Sequence, residues 1–338
     1  MNQQVAWKGI KDVEEVIRRV SRNTTCLFPG CDGSPIGSHV IARKTLELIA
    51  DQGHVLTWLP RKVTAWDMMR SISEGRPLEQ LYEKPISIGI RHRNKVTEPL
   101  FCHDHDNRVF DSLENEEFSF KPEQVLLLAF RALCSMLLST SRTEAIFTAL
   151  VKQHGYQNSL STLETLIKWQ RFQETELALN IRKRYEQIRK ANDYDQLGWS
   201  MYVVNRQPCI AATYSIIPFE GNEAMAIING RLATSVEDEV IFSFLPCKPM
   251  DNSICVISWL KESRRAQRFM TSHRINELSE KEQLDLFFSL AFESPTLYIS
   301  PTWWQSLSDE EREVYKNMHL NAHRKHANLL ISVQKTKL

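Results

Sequence analysis

The chain has 338 residues, of which 42% are hydrophobic and 25% charged, and its formal net charge is +1. These shares are typical of a soluble globular protein of two or three domains. The balanced charge excludes a protein that coats nucleic acid by bulk attraction, but it leaves room for a local basic groove. No uninterrupted apolar run reaches the length of a membrane span, and the first residues lack the apolar core of a signal peptide. We therefore expect a cytoplasmic protein with no membrane partner.

Short elements are predicted in the first third of the chain. Apolar residues at helical spacing predict a helix over residues 9–22, and the Gly- and Pro-rich segment 26–35 predicts a tight turn. The elements predicted next are a strand at 36–42, a helix at 43–53 with Gly53 as its C-terminal cap, a strand at 53–60 and, after a stretch without clear pattern, a strand end and helix at 99–114.

The remainder predicts a helical segment followed by a sheet with helices. Three helices are expected in the middle, at 122–140, 142–155 and 161–193, with Pro122 in a first turn and a capping box at Ser161 and Glu164. Five strand-like runs follow at 199–205, 209–219, 223–230, 239–246 and 253–260, and the short spacing of the first four indicates antiparallel hairpins. Helices are predicted after them at 260–270, 280–294 and 308–333. The predicted fold class is α+β, with segments 1–118, 119–195 and 196–338 as its three parts.

The seven cysteines fall into two groups by their surroundings. Their odd number and the expected compartment argue against a disulfide framework. Buried hydrophobic roles are expected where the neighbouring residues are apolar, at Cys134, Cys209 and Cys255. Cys247 falls in a predicted loop and receives no role. Polar turn residues surround the other three, Cys26, Cys31 and Cys102.

Cys26 and Cys31 are separated by four residues that include a Pro-Gly turn, and Cys102 and His105 lie at the start of a predicted helix. A turn and a helix start that each supply two ligands form the arrangement called a treble clef. Three thiolates and one imidazole are a common ligand set for structural Zn²⁺. We therefore predict a zinc site, although unliganded, reduced cysteines are the alternative. The ~70 residues between the two pairs are expected to contain structure of their own.

The C-x4-C pair, IGSHVIA and FCHDHDN together resemble the treble-clef core of the HNH (His-Asn-His) endonucleases. They are also similar to uncharacterised bacterial proteins associated with phage defence. The resemblance covers residues 20–115 and implies that His39 is the general base and that Asp106 holds a catalytic Mg²⁺ or Mn²⁺. It further implies cleavage of DNA or RNA in a defence or mobile-element setting. Ser38 stands where the family often has an acid or a second His, and Asn94 is poorly placed for the family's middle Asn.

Other interpretations remain open for these residues. His39 could instead have a structural role or replace His105 as a zinc ligand. Asp106 could instead complement the helix dipole. The rival function is a non-catalytic, zinc-stabilised scaffold or sensor whose C-terminal part binds a protein or small molecule.

Several further signals have plain structural interpretations. The basic clusters at 182–190 and 261–268 are expected to be solvated helix faces. His319, His323 and His326 lack the H-E-x-x-H pattern of metalloproteases and are expected on the surface. Trp303 and Trp304 are expected to pack a helix onto the sheet. No nucleophile elbow and no P-loop motif is present.

Overall fold

The computed structural model describes residues 19, 24–58, 84–91, 96–154, 179–205, 207–216, 239–247 and 252–320. Its strands are β1 Gly37–His39, β2 His54–Thr57, β3 Ile86–Gly89, β4 Thr97–Pro99, β5 Leu197–Val204, β6 Ile210–Ile216, β7 Val240–Cys247, β8 Asn252–Leu260 and β9 Leu297–Ile299. Its helices are α1 Arg43–Glu47, α2 His103–Val109, α3 Asp111–Glu114, α4 Pro122–His154, α5 Leu179–Ala191, α6 Arg264–His273, α7 Glu280–Glu293, α8 Pro301–Ser306 and α9 at 309–320. Short 3-10 turns lie at Tyr194–Gln196 and Ile275–Glu277. The predicted α+β class is confirmed. The helix predicted at 9–22, except residue 19, lies outside the described residues. The Ser161–Glu164 capping box and the strand predicted at 223–230 also lie outside them.

Seven strands form one antiparallel sheet in the order β3-β2-β9-β6-β7-β8-β5, and β1 pairs separately with β4. Strands β2 and β3 come from the first third of the chain, yet β2 pairs with β9 through Leu56 and Ile299. The sheet therefore draws strands from the first and the last predicted segments. The division of the chain into three parts at residues 118 and 195 stays a prediction.

The interior strand β7 is buried along its whole length because helices cover both faces of the sheet. Its side chains alternate with the period of two expected of a strand. Ile241 and Leu245 belong to the core on the α4 side, whereas Phe242 and Phe244 belong to the core that includes α7. The sheet thus lies between two apolar layers, and the helical middle segment supplies part of one of them.

Three predicted details differ in the structure. The helices expected at 122–140 and 142–155 are one 33-residue helix, α4, because the Ser-Thr-Ser-Arg segment between them contains neither Gly nor Pro. Helix α1 ends at Glu47, and Gly53 instead takes a positive φ in the turn before β2. Strand β5 pairs with β8 rather than with β6, so the consecutive-hairpin prediction was wrong for that strand.

Residues Pro122–Ser139 of α4 are long and apolar enough to cross a membrane by length and composition. However, 78% of that segment is buried inside the protein. The core helix of a soluble protein passes the same test, so this segment is weak evidence for a membrane span.

Candidate metal centre and the adjoining polar cluster

The first pair of predicted ligands lies in a tight turn. The Cys31 amide donates to the Phe28 carbonyl over 3.1 Å, and the Cys26 amide donates to the Gly33 carbonyl over 2.8 Å. Gly30 adopts a φ of 77°, a conformation that is costly for residues with a Cβ. These constraints direct both thiols to the same side of the turn.

The second pair lies at the start of α2. Cys102 is the N-cap residue in an extended conformation, and its carbonyl accepts the Asp106 amide over 2.9 Å. Backbone bonds join this helix start to the turn, because the Leu27 amide donates to the Leu100 carbonyl over 2.8 Å. The sequence separation of more than 70 residues is thus closed by main-chain hydrogen bonds.

The four predicted ligands converge on one point. One ligand atom from each of Cys26, Cys31, Cys102 and His105 lies within 4.8 Å of the other three. The Cys31 and Cys102 sulfurs are 3.9 Å apart, and His105 Nδ1 lies 3.4 Å from Cys26 Sγ and 3.3 Å from Cys102 Sγ. The His105 ring stacks on Phe28 with centroids 3.9 Å apart, which fixes its orientation. This group can hold a metal ion.

The pKa values of the Cys26 and Cys102 thiols are shifted in opposite directions. Burial raises the pKa of Cys26 to about 12. Hydrogen bonding by the His105 amide is the main reason why the pKa of Cys102 is lowered. Burial lowers the pKa of His105, which favours the neutral imidazole that a metal ion requires. A bound cation would displace the thiol protons and so couple metal binding to pH.

His39 lies at the end of β1 and is not one of the four converging residues. Its ring hydrogen-bonds the Ile90 backbone, and its Nε2 is buried without a hydrogen-bond partner. Burial lowers the pKa of His39, so the ring is neutral at physiological pH, with a free nitrogen at Nε2.

Asp106 lies one residue after His105 and faces the same region as His39. The Ser38 hydroxyl hydrogen-bonds its carboxylate, while Ser38 also accepts the Phe101 amide over 3.4 Å. Burial raises the pKa of Asp106, and its Oδ1 is buried without a hydrogen-bond partner. Ser38 is fully buried and already bonded, so it is not free to serve as the family's additional metal ligand.

Two charged residues that the sequence analysis missed complete this polar cluster. Arg131, on α4, is 1% exposed, and its Nη1 donates to Glu114 Oε1 over 2.5 Å. Its Nη2 lies 3.9 Å from Asp106 Oδ1, which is an ion pair but too long for a hydrogen bond. Both residues contribute to the electrostatic environment of His39. A lone arginine in the apolar run VLLLAFRALC was the signal that could have identified Arg131.

The remaining predicted residues have structural roles. In the first basic cluster, Arg184 pairs with Glu262, and Arg189 pairs with Glu186. His319 is buried rather than on the surface, since its Nδ1 bonds the Phe292 carbonyl and its ring stacks on a tryptophan. His323 and His326 lie outside the described residues.

Two tryptophans and four cysteines pack as core residues. Trp303 and Trp304 pack against the core on the α7 side, as predicted. Cys247 ends strand β7 and is buried, because the predicted loop is part of a hairpin. The three other cysteines outside the metal centre are buried as predicted, at Cys134, Cys209 and Cys255.

Comparison of the chain with protein-family models, with curated proteins and with solved structures finds no match.

Proposed function

We propose that this protein is a zinc-stabilised phosphodiesterase that cleaves DNA or RNA with His39 and Asp106. The observation that carries the catalytic part is the pair of buried acceptors, His39 Nε2 and Asp106 Oδ1, which have no hydrogen-bond partner among the described residues. Buried polar atoms are costly unless they are hydrogen-bonded or bind a ligand. Unpartnered acceptors on two functional side chains therefore favour a site over a packing role.

The zinc part rests on the ligand set and its distances. A tetrahedron with Zn–S bonds of about 2.3 Å and Zn–N bonds of about 2.0–2.1 Å has edges of roughly 3.8 Å between sulfurs and 3.6 Å between sulfur and nitrogen. The observed separations of 3.9, 3.4 and 3.3 Å agree with these values. Four protein ligands leave no open position, so the zinc would be structural rather than catalytic.

Metal analysis of the purified protein tests the zinc part. We expect one zinc per chain, and loss of that zinc in Cys31→Ser. Cys134→Ser is the matched control, because Cys134 is a buried cysteine electrostatically coupled to Cys26 but outside the metal group. Full zinc content in Cys31→Ser would contradict the assignment.

The proposed reaction uses the neutral ring of His39 as a general base. Its Nε2 has no hydrogen-bond partner among the described residues, so the lone pair of a neutral ring is available there to accept a proton from water. Asp106 offers a carboxylate oxygen, the ligand type preferred by Mg²⁺. Such an ion, when bound, would stabilise negative charge on the phosphate. Ile90, whose backbone interacts with His39, also lines a groove of about 520 Å³.

Cleavage of plasmid DNA and of RNA in Mg²⁺ or Mn²⁺ tests the catalytic part. We expect His39→Ala and Asp106→Asn to abolish cutting while they retain zinc. His103→Ala is the matched control, since the His103 side chain is 79% exposed on the same helix as Asp106. Equal cutting by the wild type and His39→Ala would remove the catalytic claim. The role in phage defence rests on the sequence resemblance alone.

The second candidate is a non-catalytic scaffold that binds a protein or small molecule through its C-terminal part. The observation that favours it is the ion pairing of Arg131 with Asp106 and Glu114, which supplies positive charge to the cluster from within the protein. Wild-type protein that retains zinc but cuts neither DNA nor RNA would favour this candidate.

A further inference from the structure

Arg131 is the charged side chain at the floor of the polar cluster. It is 1% exposed, whereas the side chains of Asp106 and Glu114 are 17% and 27% exposed. Its guanidinium carbon lies 4.3 Å from the centroid of the Phe110 ring, and Nη1 is bonded to Glu114. Stacking and the Glu114 bond together fix the plane of the guanidinium and leave one edge facing away from Glu114.

That edge carries two donors without acceptors. Nε and Nη2 of Arg131 are both buried and have no hydrogen-bond partner. The same two atoms form a bidentate fork elsewhere in the chain. Arg184 uses Nε and Nη2 to bind both oxygens of Glu262, at 3.0 and 3.2 Å. Arg189 binds Glu186 in the same way, at 2.8 and 3.0 Å. Arg131 therefore presents an intact two-donor fork to which no carboxylate of the described residues is hydrogen-bonded.

A pair of buried guanidinium donors without hydrogen-bond partners is a suitable binding site for an oxyanion. Each buried donor left unpaired costs about 1–3 kcal/mol, and more when the group is charged. Planar guanidinium edges match the paired oxygens of carboxylates and phosphates. Asp106 Oδ1 stands 3.9 Å from Nη2 and is itself without a hydrogen-bond partner among the described residues. The protein thus holds a donor pair and a separate acceptor side by side without joining them.

We propose that the Nε–Nη2 edge of Arg131 binds two oxygens of the phosphate group that is cleaved. This inference rests on the proposed function and adds a residue that touches the substrate. Asp106 and Glu114 bring two negative charges to the cluster, so a phosphate binds there together with a divalent cation and poorly alone. Arg131 then stabilises the charge that develops on the phosphate as His39 activates water.

The test compares wild-type protein with Arg131→Lys, which keeps the charge but loses the planar fork. Arg184→Lys is the matched control, because the Arg184 fork is already occupied by Glu262. The binding probe is inorganic phosphate, followed by thermal denaturation and by ³¹P NMR with and without Mg²⁺. We expect phosphate with Mg²⁺ to raise the Tm of the wild type and of Arg184→Lys, and not that of Arg131→Lys.

Cleavage supplies the second measurement. Loss of one such donor typically reduces kcat by about 10²–10³-fold, and we expect a loss of that size in Arg131→Lys with zinc retained. Equal phosphate binding and equal kcat in Arg131→Lys and wild type would overturn the inference while the nuclease proposal stands. Wild-type protein that binds phosphate through Arg131 but cuts no nucleic acid would support the phosphate site and overturn the nuclease proposal.

A crystal structure decides the matter if Arg131→Lys does not fold. Wild-type crystals grown with Mg²⁺ and inorganic phosphate are expected to show phosphate oxygens within hydrogen-bond distance of Nε and Nη2. A structure in which the Asp106 carboxylate occupies that edge instead would refute the inference, because the fork would then be a closed internal salt bridge.

Discussion

Glu239 gives the folded protein a pH dependence that a neutral amide at the same position removes. The residue is 4% exposed, just before strand β7. Burial raises its pKa from 4.5 to about 7, and the Ser215 hydroxyl, which donates to its Oε2, offsets this only in part. The folded protein therefore keeps a proton on Glu239 over a pH range in which the unfolded chain releases it.

The sign and size of the effect of pH on the free energy of unfolding follow from this difference in proton binding. Because the folded state binds more protons between pH 4.5 and about 7, stability is greatest below 4.5 and falls as the pH rises to about 7. At about 1.4 kcal/mol for each pH unit, Glu239 removes about 3 kcal/mol of the free energy of unfolding across that range. Glu239→Gln lacks this loss.

Urea unfolding of both chains from about pH 4.5 to about pH 8 measures the effect. We expect the free energy of unfolding of Glu239→Gln to rise relative to that of the wild type by about 3 kcal/mol over this range. Titration of the metal ligands and of other carboxylates is common to both chains and cancels in the difference. Glu280→Gln, at an exposed position, is the control with no such trend. A difference between Glu239→Gln and wild type that stays constant within about 1 kcal/mol would refute the reasoning.

Three further substitutions probe other parts of the fold. Burial lowers the pKa of His319 from 6.5 to about 4, so stability that is present above pH 6.5 is lost as the pH falls towards 4. In the same urea series, the free energy of unfolding of His319→Asn should therefore rise by about 3 kcal/mol relative to that of the wild type on acidification. A difference between the two chains that does not change with pH would argue against this. Gly198→Ala would place a Cβ 2.5 Å from the Trp259 indole, and we expect about 1–3 kcal/mol of destabilisation by denaturant midpoint. An unchanged midpoint would mean that the indole moves aside freely. Ser279→Ala removes one half of the capping box with Glu282 and should cost about 1 kcal/mol in thermal unfolding, more than Glu282→Gln costs. Equal losses in the two variants would contradict that ranking.

The metal centre was predictable because its ligands carry their own signal. Thiols in the polar Pro-Gly turn at Cys26 and Cys31 are unlike the apolar surroundings of Cys134, and only a few residue types can bind zinc. The strands β6, β7 and β8 were equally visible, since β-branched and aromatic runs between turns predict strands directly. These are local properties, and a single sequence records them.

Pairings between distant segments were not predictable in this way. Nothing near Leu56 indicates that β2 would pair with β9, because strand pairing depends on which edges the folded core brings together. The buried state of His319 likewise follows from aromatic residues that are remote in sequence. Sequence patterns identified the elements, while packing selected their neighbours.

The sequence by itself determined the elements of an α+β protein, the four candidate metal ligands and the candidate pair His39 and Asp106. Only the tertiary structure decided that the first third contributes strands to the main sheet, and that Arg131 and Glu114 surround Asp106. The physical reason is the range of the interactions. Residue type and spacing fix turns, helices and ligand chemistry locally, whereas the burial and charge partners of a side chain depend on segments that meet only in the folded chain.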